Sequence, residues 1–131
     1  MIVILDTTAL IDLLRGEPDI IGRIKELEKR NIPLSTTTVS VFEIWQGVGS
    51  LTHEKKRLKI RLLLESLATY SFDIPAAKEA GTIHAYLKES GKVIDPEDSL
   101  IAGIAKIHRE TILTRNTTHF RRIEELKIES Y

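Results

Sequence analysis

Short apolar runs that alternate with longer stretches of helical period confine this chain to an α/β architecture. Ile2-Val3-Ile4-Leu5 is the clearest strand signal: brief, uninterrupted and apolar, as befits a strand covered on both faces. A short helix is expected from about Ala9 to Leu14, ended by Gly16, and Pro18 suits the start of another in which Ile20, Ile21, Ile24 and Leu27 give the helical period. Pro33-Leu34-Ser35-Thr36 reads as a second strand. The next helix would set Val39, Phe42, Trp45 and Val48 on one face, with Gly47 and Gly49 near its end, and a further helix runs from about His53 to Leu67, carrying Leu58, Leu62 and Leu63. Thr69 to Phe72 is the third strand. Pro75 opens a long amphipathic helix, with Ala76, Ala80, Ile83 and Leu87 at helical spacing and Gly91 as its stop. Another helix runs from Pro96 to about His108, and Thr111–Thr114 and Leu126–Ile128 supply the last two strands. Strands separated by helices imply a parallel sheet with helices on both faces.

At 131 residues, with no repeat, linker or low-complexity tract, residues 1–131 read as a single domain able to bury its own core. The chain has no cysteine, which excludes disulfides, thiol nucleophiles and thiolate zinc sites and suits a reducing compartment. No apolar run approaches the roughly 20 residues that cross a bilayer, and Met1-Ile2-Val3 enters a strand without a basic leader, so a cytoplasmic protein with no membrane contact is expected. The formal net charge is zero, which argues against a tight, sequence-independent grip on long nucleic acid but leaves local contact open.

Three acids stand at strand-to-helix junctions. In an open parallel sheet, functional groups collect at the carboxyl ends of the strands where the strand order reverses. Asp6 ends the first strand, while Glu43 and Asp98 lie near the starts of helices that could lean over the same edge. Each has an ordinary explanation. Asp6 could accept hydrogen bonds from the Thr7-Thr8 turn. Ser40-x-x-Glu43 fits a capping box, although Val39 and Val41 extend the helical pattern backwards and would put Glu43 inside the helix. Asp95-Pro96-Glu97-Asp98 fits a helix start with acids favoured by the dipole. Taken together, carboxylates in otherwise apolar stretches call for a partner, and a cluster of them offers the oxygen-rich surroundings of a hard cation.

After the fourth strand, Thr114 could supply a hydroxyl, Asn116 a neutral oxygen or a brace for a ligand, and Arg115 a phosphate contact, beside the plainer reading of a polar loop opening a short helix. Lys55, Lys56, Arg57, Lys59 and Arg61 form the densest basic segment, read as a solvated helix face or as a contact for a polyanion or an acidic partner tail. His53, His84 and His108 lack metal-ligand spacing, and Trp45 and Tyr70 are expected in the core or an interface.

Leu5-Asp6-Thr7-Thr8-Ala9-Leu10-Ile11-Asp12 resembles the opening motif of PIN-domain ribonucleases. The resemblance continues through Ser40-Val41-Phe42-Glu43-Ile44-Trp45-Gln46-Gly47-Val48, Gly91-Lys92-Val93-Ile94-Asp95-Pro96-Glu97-Asp98-Ser99-Leu100-Ile101-Ala102 and Leu113-Thr114-Arg115-Asn116-Thr117-Thr118-His119-Phe120, and is strongest to the VapC-type toxins of prokaryotic toxin–antitoxin pairs. It implies a three-layer α/β/α fold with a five-stranded parallel sheet of order 3-2-1-4-5. It implies too that Asp6, Glu43 and Asp98 hold Mg2+ (or Mn2+), with Asn116 at the place of a fourth, often acidic, catalytic group. Two positions depart from the usual pattern: Thr8 replaces an Asn common after Asp-Thr, and His119 stands where an Asp often precedes the Phe.

The expected activity is metal-assisted hydrolysis of RNA, with water as nucleophile and products bearing 5′-phosphate and 3′-hydroxyl ends. The expected partners are RNA, a cognate antitoxin and a second copy of the chain, with the helices from Val39 to Leu67 contributing apolar contacts. Two other readings compete. Asp6 could be the nucleophile of an aspartyl-phosphate phosphotransfer domain, but Thr8 occupies the position where one such pattern wants a second Asp. A PIN-like interaction module would have no need of all three acids.

Overall fold

Three-residue strands can carry a domain only when both their faces are buried, and β1 (Val3–Leu5) is fully buried along its length. The computed structural model describes residues 1–48 and 53–131. Along the chain follow α1 (Thr7–Leu14), α2 (Pro18–Lys29), β2 (Leu34–Thr37), α3 (Thr38–Trp45), α4 (Glu54–Ser66), β3 (Ala68–Tyr70), α5 (Ile74–Glu89), α6 (Pro96–His108), β4 (Thr111–Leu113), α7 (Thr117–Phe120) and β5 (Ile128–Glu129). Every pairing is parallel and the order is β3-β2-β1-β4-β5. The chain therefore steps outward from β1 in one direction, returns, and steps outward in the other from β4. The reversal falls between β1 and β4, whose registers pair Leu5 with Leu113.

Alternation along β1 divides the core into two layers. Ile4 joins Ile112 of β4 on one face, where α5 and α6 pack Ala76, Ile83, Leu87, Ile101 and Ile104 against them. Val3 and Leu5 join Leu113 on the other, under Ala9 and Leu10 of α1 and Ile20, Ile24 and Leu27 of α2. Helix α3 lies across the edge between them, giving Val39 to the first layer and Ile44 to the second. The α5–α6 contact is unusually close: a Cβ on Gly103 would meet the Ala76 carbonyl oxygen and the Ala80 Cβ, each at 2.7 Å. Gly16 and Gly91, expected to stop helices, both have positive φ (73° and 67°), the left-handed turn that a side chain disfavours.

The strands are displaced by one or two residues from the sequence expectation, and α5 starts at Ile74 rather than Pro75. A larger correction concerns α3. Val39 and Val48 are buried, but Phe42 and Trp45 are 66% and 45% exposed, so that face is not core. The straddling position of α3 explains this: its inward direction changes along the helix, and a single stripe at helical spacing cannot follow it. Trp45 accordingly stands on the surface, whereas Tyr70 is half-buried with its ring stacked on His108 at 4.3 Å. On α4, Leu58 and Leu62 are exposed, while Ile60, Leu63 and Leu64 pack on the second layer. Gly49 lies outside the described residues. Among the described residues, no helix is long and apolar enough to cross a membrane.

Candidate active site

The reversal between β1 and β4 puts the residues that leave these strands side by side, and two of them are polar. Asp6, 1% exposed, follows Leu5; Thr114, fully buried, follows Leu113. Thr114 Oγ1 donates to Asp6 Oδ2 at 2.5 Å. The other carboxylate oxygen, Oδ1, accepts from the Ala9 amide at 3.0 Å and the Thr8 hydroxyl at 2.8 Å. Asp6 is therefore the N-cap of α1 as well as a site residue: the ordinary reading and the functional one hold together. Burial pushes its pKa up to about 6, against the pull of Thr114, Ala9 and Thr8, with the charge of Asp98 adding to the rise.

Glu43 comes from α3. Its helix is capped by Thr37, whose Oγ1 accepts from the Ser40 amide at 3.1 Å, so the helix begins before Ser40 and the Ser40–Glu43 capping box does not form. Glu43 is left inside the helix, and its Oε1 accepts from Thr7 Oγ1 at 2.7 Å. Thr7 also bonds Ser40 Oγ at 2.9 Å, tying α1 to α3 beside Asp6. The Glu43 pKa is raised, first by burial and then, against the Thr7 hydrogen bond, by the negative charges of Glu97, Asp98 and Asp95.

Asp98 arrives on the first turn of α6. Asn116 Nδ2 donates to its Oδ2 at 3.1 Å, and His119 Nδ1 lies 2.8 Å from the same oxygen and 3.0 Å from Asn116 Nδ2. Burial raises the Asp98 pKa, partly offset by His119 and reinforced by Asp95 and Glu97. Asp95 stands at the N-cap position of α6 without a side-chain capping bond. The loop after β4 closes the circuit, because the Asn116 amide donates to Thr114 Oγ1 at 2.8 Å. A continuous path, Asp6–Thr114–Asn116–Asp98, thus runs along the sheet edge.

All four residues expected from the sequence gather at this edge, but not equally tightly. Among the described residues, the group whose potential ligand atoms all lie within 4.8 Å of one another is Asp95, Asp98 and His119, and no such threesome includes Asp6 or Glu43. Asp6 and Glu43 point into hydrogen bonds with threonines instead, though both feel the charge of Asp98. Arg115, considered for a phosphate, pairs through Nε with the buried Asp12 at 3.1 Å.

The sequence placed Thr7 in a turn and Ser40 at a helix start but did not show the bonds of Thr7 to Ser40 and Glu43, nor the contact of His119 with Asp98. Thr8, the first departure from the usual pattern, both donates to Asp6 and accepts from the Arg115 amide at 3.2 Å. His119, the second, rests on Asp98. The donor set suits a hard divalent cation: carboxylates whose charged forms are disfavoured by burial and mutual repulsion, with a neutral amide and hydroxyls holding them in place.

Comparison with known proteins identifies the family. The sequence profile described as "PIN domain" matches residues 3–126. The chain is 33% identical over 127 residues to Toxin FitB of Neisseria gonorrhoeae, covering 90% of each. It is 28% identical over 127 residues to the tRNA(fMet)-specific endonuclease VapC of Salmonella typhimurium, covering 97% of this chain and 96% of that protein. Among solved structures, the DNA-bound VapBC of Salmonella typhimurium superposes with a TM-score of 0.86 at 26% identity, over 99% of this chain and 98% of that one. The match runs through the strand that ends at Asp6, the helices that bring Glu43 and Asp98, and the loop that carries Asn116: this chain belongs to the PIN domain family.

Proposed function

We propose that this chain is a metal-dependent endoribonuclease that acts as the toxin of a toxin–antitoxin pair, with Asp6, Glu43, Asp98 and Asn116 as its site. The observation that carries the reading is the hydrogen-bonded path Asp6–Thr114–Asn116–Asp98 at the strand-order reversal, where three acids with raised pKa values share one edge. The relatives support it: one is named as a toxin and another as a tRNA(fMet)-specific endonuclease.

Asp6 and Asp98 would hold Mg2+, or Mn2+, and Glu43 would hold it or orient the attacking water. A divalent cation at this edge supplies charge to the phosphate oxygens and lowers the pKa of a bound water. Thr7 fixes Glu43, Thr114 fixes Asp6, and Asn116 fixes Asp98, so each carboxylate is held before substrate arrives. Burial raises the Glu43 pKa, which makes its carboxylate a stronger acceptor for a water proton than an exposed one.

The partner reading has separate support. Phe42, Trp45, Leu58 and Leu62 expose large apolar surface on α3 and α4, which suits a second copy of the chain. An antitoxin segment reaching the acid cleft belongs to the same proposal, and the relative named as a toxin supports a partner of that kind. The test of the activity is cleavage of RNA by the purified chain in Mg2+ and in Mn2+, with EDTA and Asp6→Asn as controls. Metal-dependent cleavage lost in both controls is expected; cleavage undiminished in Asp6→Asn overturns the mechanism.

A further inference from the structure

Apart from Asp6, one other charged side chain is buried among the described residues, and the mechanism above makes no use of it: Asp12, 5% exposed. It lies four residues after Thr8 on α1, hence on the same helix face, turned towards the ends of β4 and β5. Two residues distant in sequence meet there. Tyr131 donates its hydroxyl to Asp12 Oδ2 at 2.5 Å, and Arg115 Nε lies 3.1 Å from the same oxygen. Burial, and then the Asp12 carboxylate, raise the Tyr131 phenol well above its ordinary range, so it remains a donor at any working pH.

Arg115 is held from both ends. Its amide donates to Thr8 Oγ1, which itself donates to Asp6, and its side chain is anchored on Asp12. The anchor takes only Nε, and the side chain is 58% exposed, which leaves the terminal amino groups of the guanidinium available at the rim of the site. The next residue, Asn116, touches Asp98. A guanidinium whose rotamer is already fixed loses little entropy on binding, and its fork matches two oxygens of a phosphate. The surrounding edge carries Asp6, Glu43, Asp95, Glu97 and Asp98 and would repel a polyanion, so a cation fixed there has a clear use.

We infer that Asp12 and Tyr131 hold Arg115 as a clamp for a phosphate of the RNA strand beside the scissile bond, with Arg115 in contact with substrate and the other two as positioning residues. The inference rests on the ribonuclease reading for its substrate. Steady-state cleavage of a single-stranded RNA oligonucleotide tests it in the parent, Arg115→Gln, Arg115→Lys and Tyr131→Phe. Fluorescence anisotropy of the same oligonucleotide in EDTA, over a series of salt concentrations, reads binding without cleavage.

Arg115→Gln should raise KM about tenfold with kcat little changed, as expected for a charged hydrogen bond lost from binding. It should also flatten the dependence of log affinity on log salt by ~0.7, the share of one phosphate contact on a single strand. Arg115→Lys should restore the salt slope but not the full KM. Tyr131→Phe keeps the cation and loses only the hydroxyl, so KM should rise by roughly threefold with the parent's salt slope. An unchanged KM and salt slope in Arg115→Gln, with a lower melting temperature, would make the Asp12–Arg115 pair purely structural and overturn the clamp. If Arg115→Gln does not fold, Tyr131→Phe decides, and parent-like KM there removes the positioning role. A parent that binds RNA in an Arg115-dependent way without cleaving it would refute the ribonuclease reading and uphold the clamp.

Discussion

Replacing Asp6 by asparagine should stabilise the metal-free protein, even though it destroys the site. The folded-state pKa of Asp6 is about 6 against an ordinary 3.8, and the side chain is 1% exposed, so solvent screening is slight. A carboxyl whose pKa is raised on folding binds its proton more tightly in the folded state. Its contribution is therefore most favourable below pH 3.8, is lost as pH rises from there to about 6, and is level above that. At 1.36 kcal/mol per pH unit the loss is ~3 kcal/mol at pH 8. The pull of the Ala9, Thr8 and Thr114 hydrogen bonds on the charged form is already contained in that value. The Asp6→Asn amide oxygen can still accept from the Ala9 amide and the Thr8 hydroxyl, but its amino group faces the buried Thr114 hydroxyl that donated to Oδ2, a mismatch that costs ~1 kcal/mol. The net gain is ~2 kcal/mol, or a rise in Tm of roughly 7 °C for a chain of this length. Calorimetry in EDTA at pH 8 and pH 4 measures it, and the gap between variant and parent should nearly close at pH 4. Added Mg2+ or Mn2+ should raise the parent's Tm by mass action and leave Asp6→Asn nearly unmoved. An Asp6→Asn protein that melts at or below the parent at pH 8 in EDTA would refute the claim that Asp6 is held charged at a cost.

Other perturbations separate the site from the scaffold. Gly103→Ala should destabilise by about 1–3 kcal/mol in thermal unfolding, because the new methyl meets the backbone and side chain of α5 at 2.7 Å. Thr114→Val removes a donor from the buried Asp6 carboxylate and an acceptor from the Asn116 amide; it should cost about 1–3 kcal/mol at pH 8, and less at pH 4 where Asp6 is neutral. Asp98→Asn and Glu43→Gln should abolish Mg2+-dependent RNA cleavage while far-UV circular dichroism stays that of the parent. Asn116→Ala should lower the rate less, since it removes a brace on Asp98 and no charge.

Much of the fold was legible because the two core layers are written in adjacent residues. Val3-Ile4-Leu5 is apolar throughout since its alternate side chains enter different layers, and that continuity marks a central parallel strand. The three acids were legible as candidates jointly rather than singly, because each alone also fits a helix start while carboxylates gathered at strand-to-helix junctions need a partner. What escaped depended on distance or on direction. Tyr131 and Asp12 are 119 residues apart, and an aspartate on an amphipathic helix reads as solvated until its partners are seen. Phe42 and Trp45 fell on a helical stripe with Val39, but α3 crosses between layers and turns them outward. Thr7 and Ser40 look like any residues at a helix start, and only tertiary packing shows that one of them carries the hydrogen bond to Glu43.

The most direct test of the account is the position of a metal ion. Crystals grown with Mn2+ and measured for anomalous scattering should show a peak at the carboxyl end of β1, bonded to Asp6 and Asp98 at about 2.0–2.3 Å, with Glu43 bonded directly or through water. Asp98 would then share the ion with Asp6 in addition to meeting Asn116. A peak held only by Asp95 and His119, with Asp6 still bonded solely to Thr8, Thr114 and the Ala9 amide, would contradict the assignment of the site.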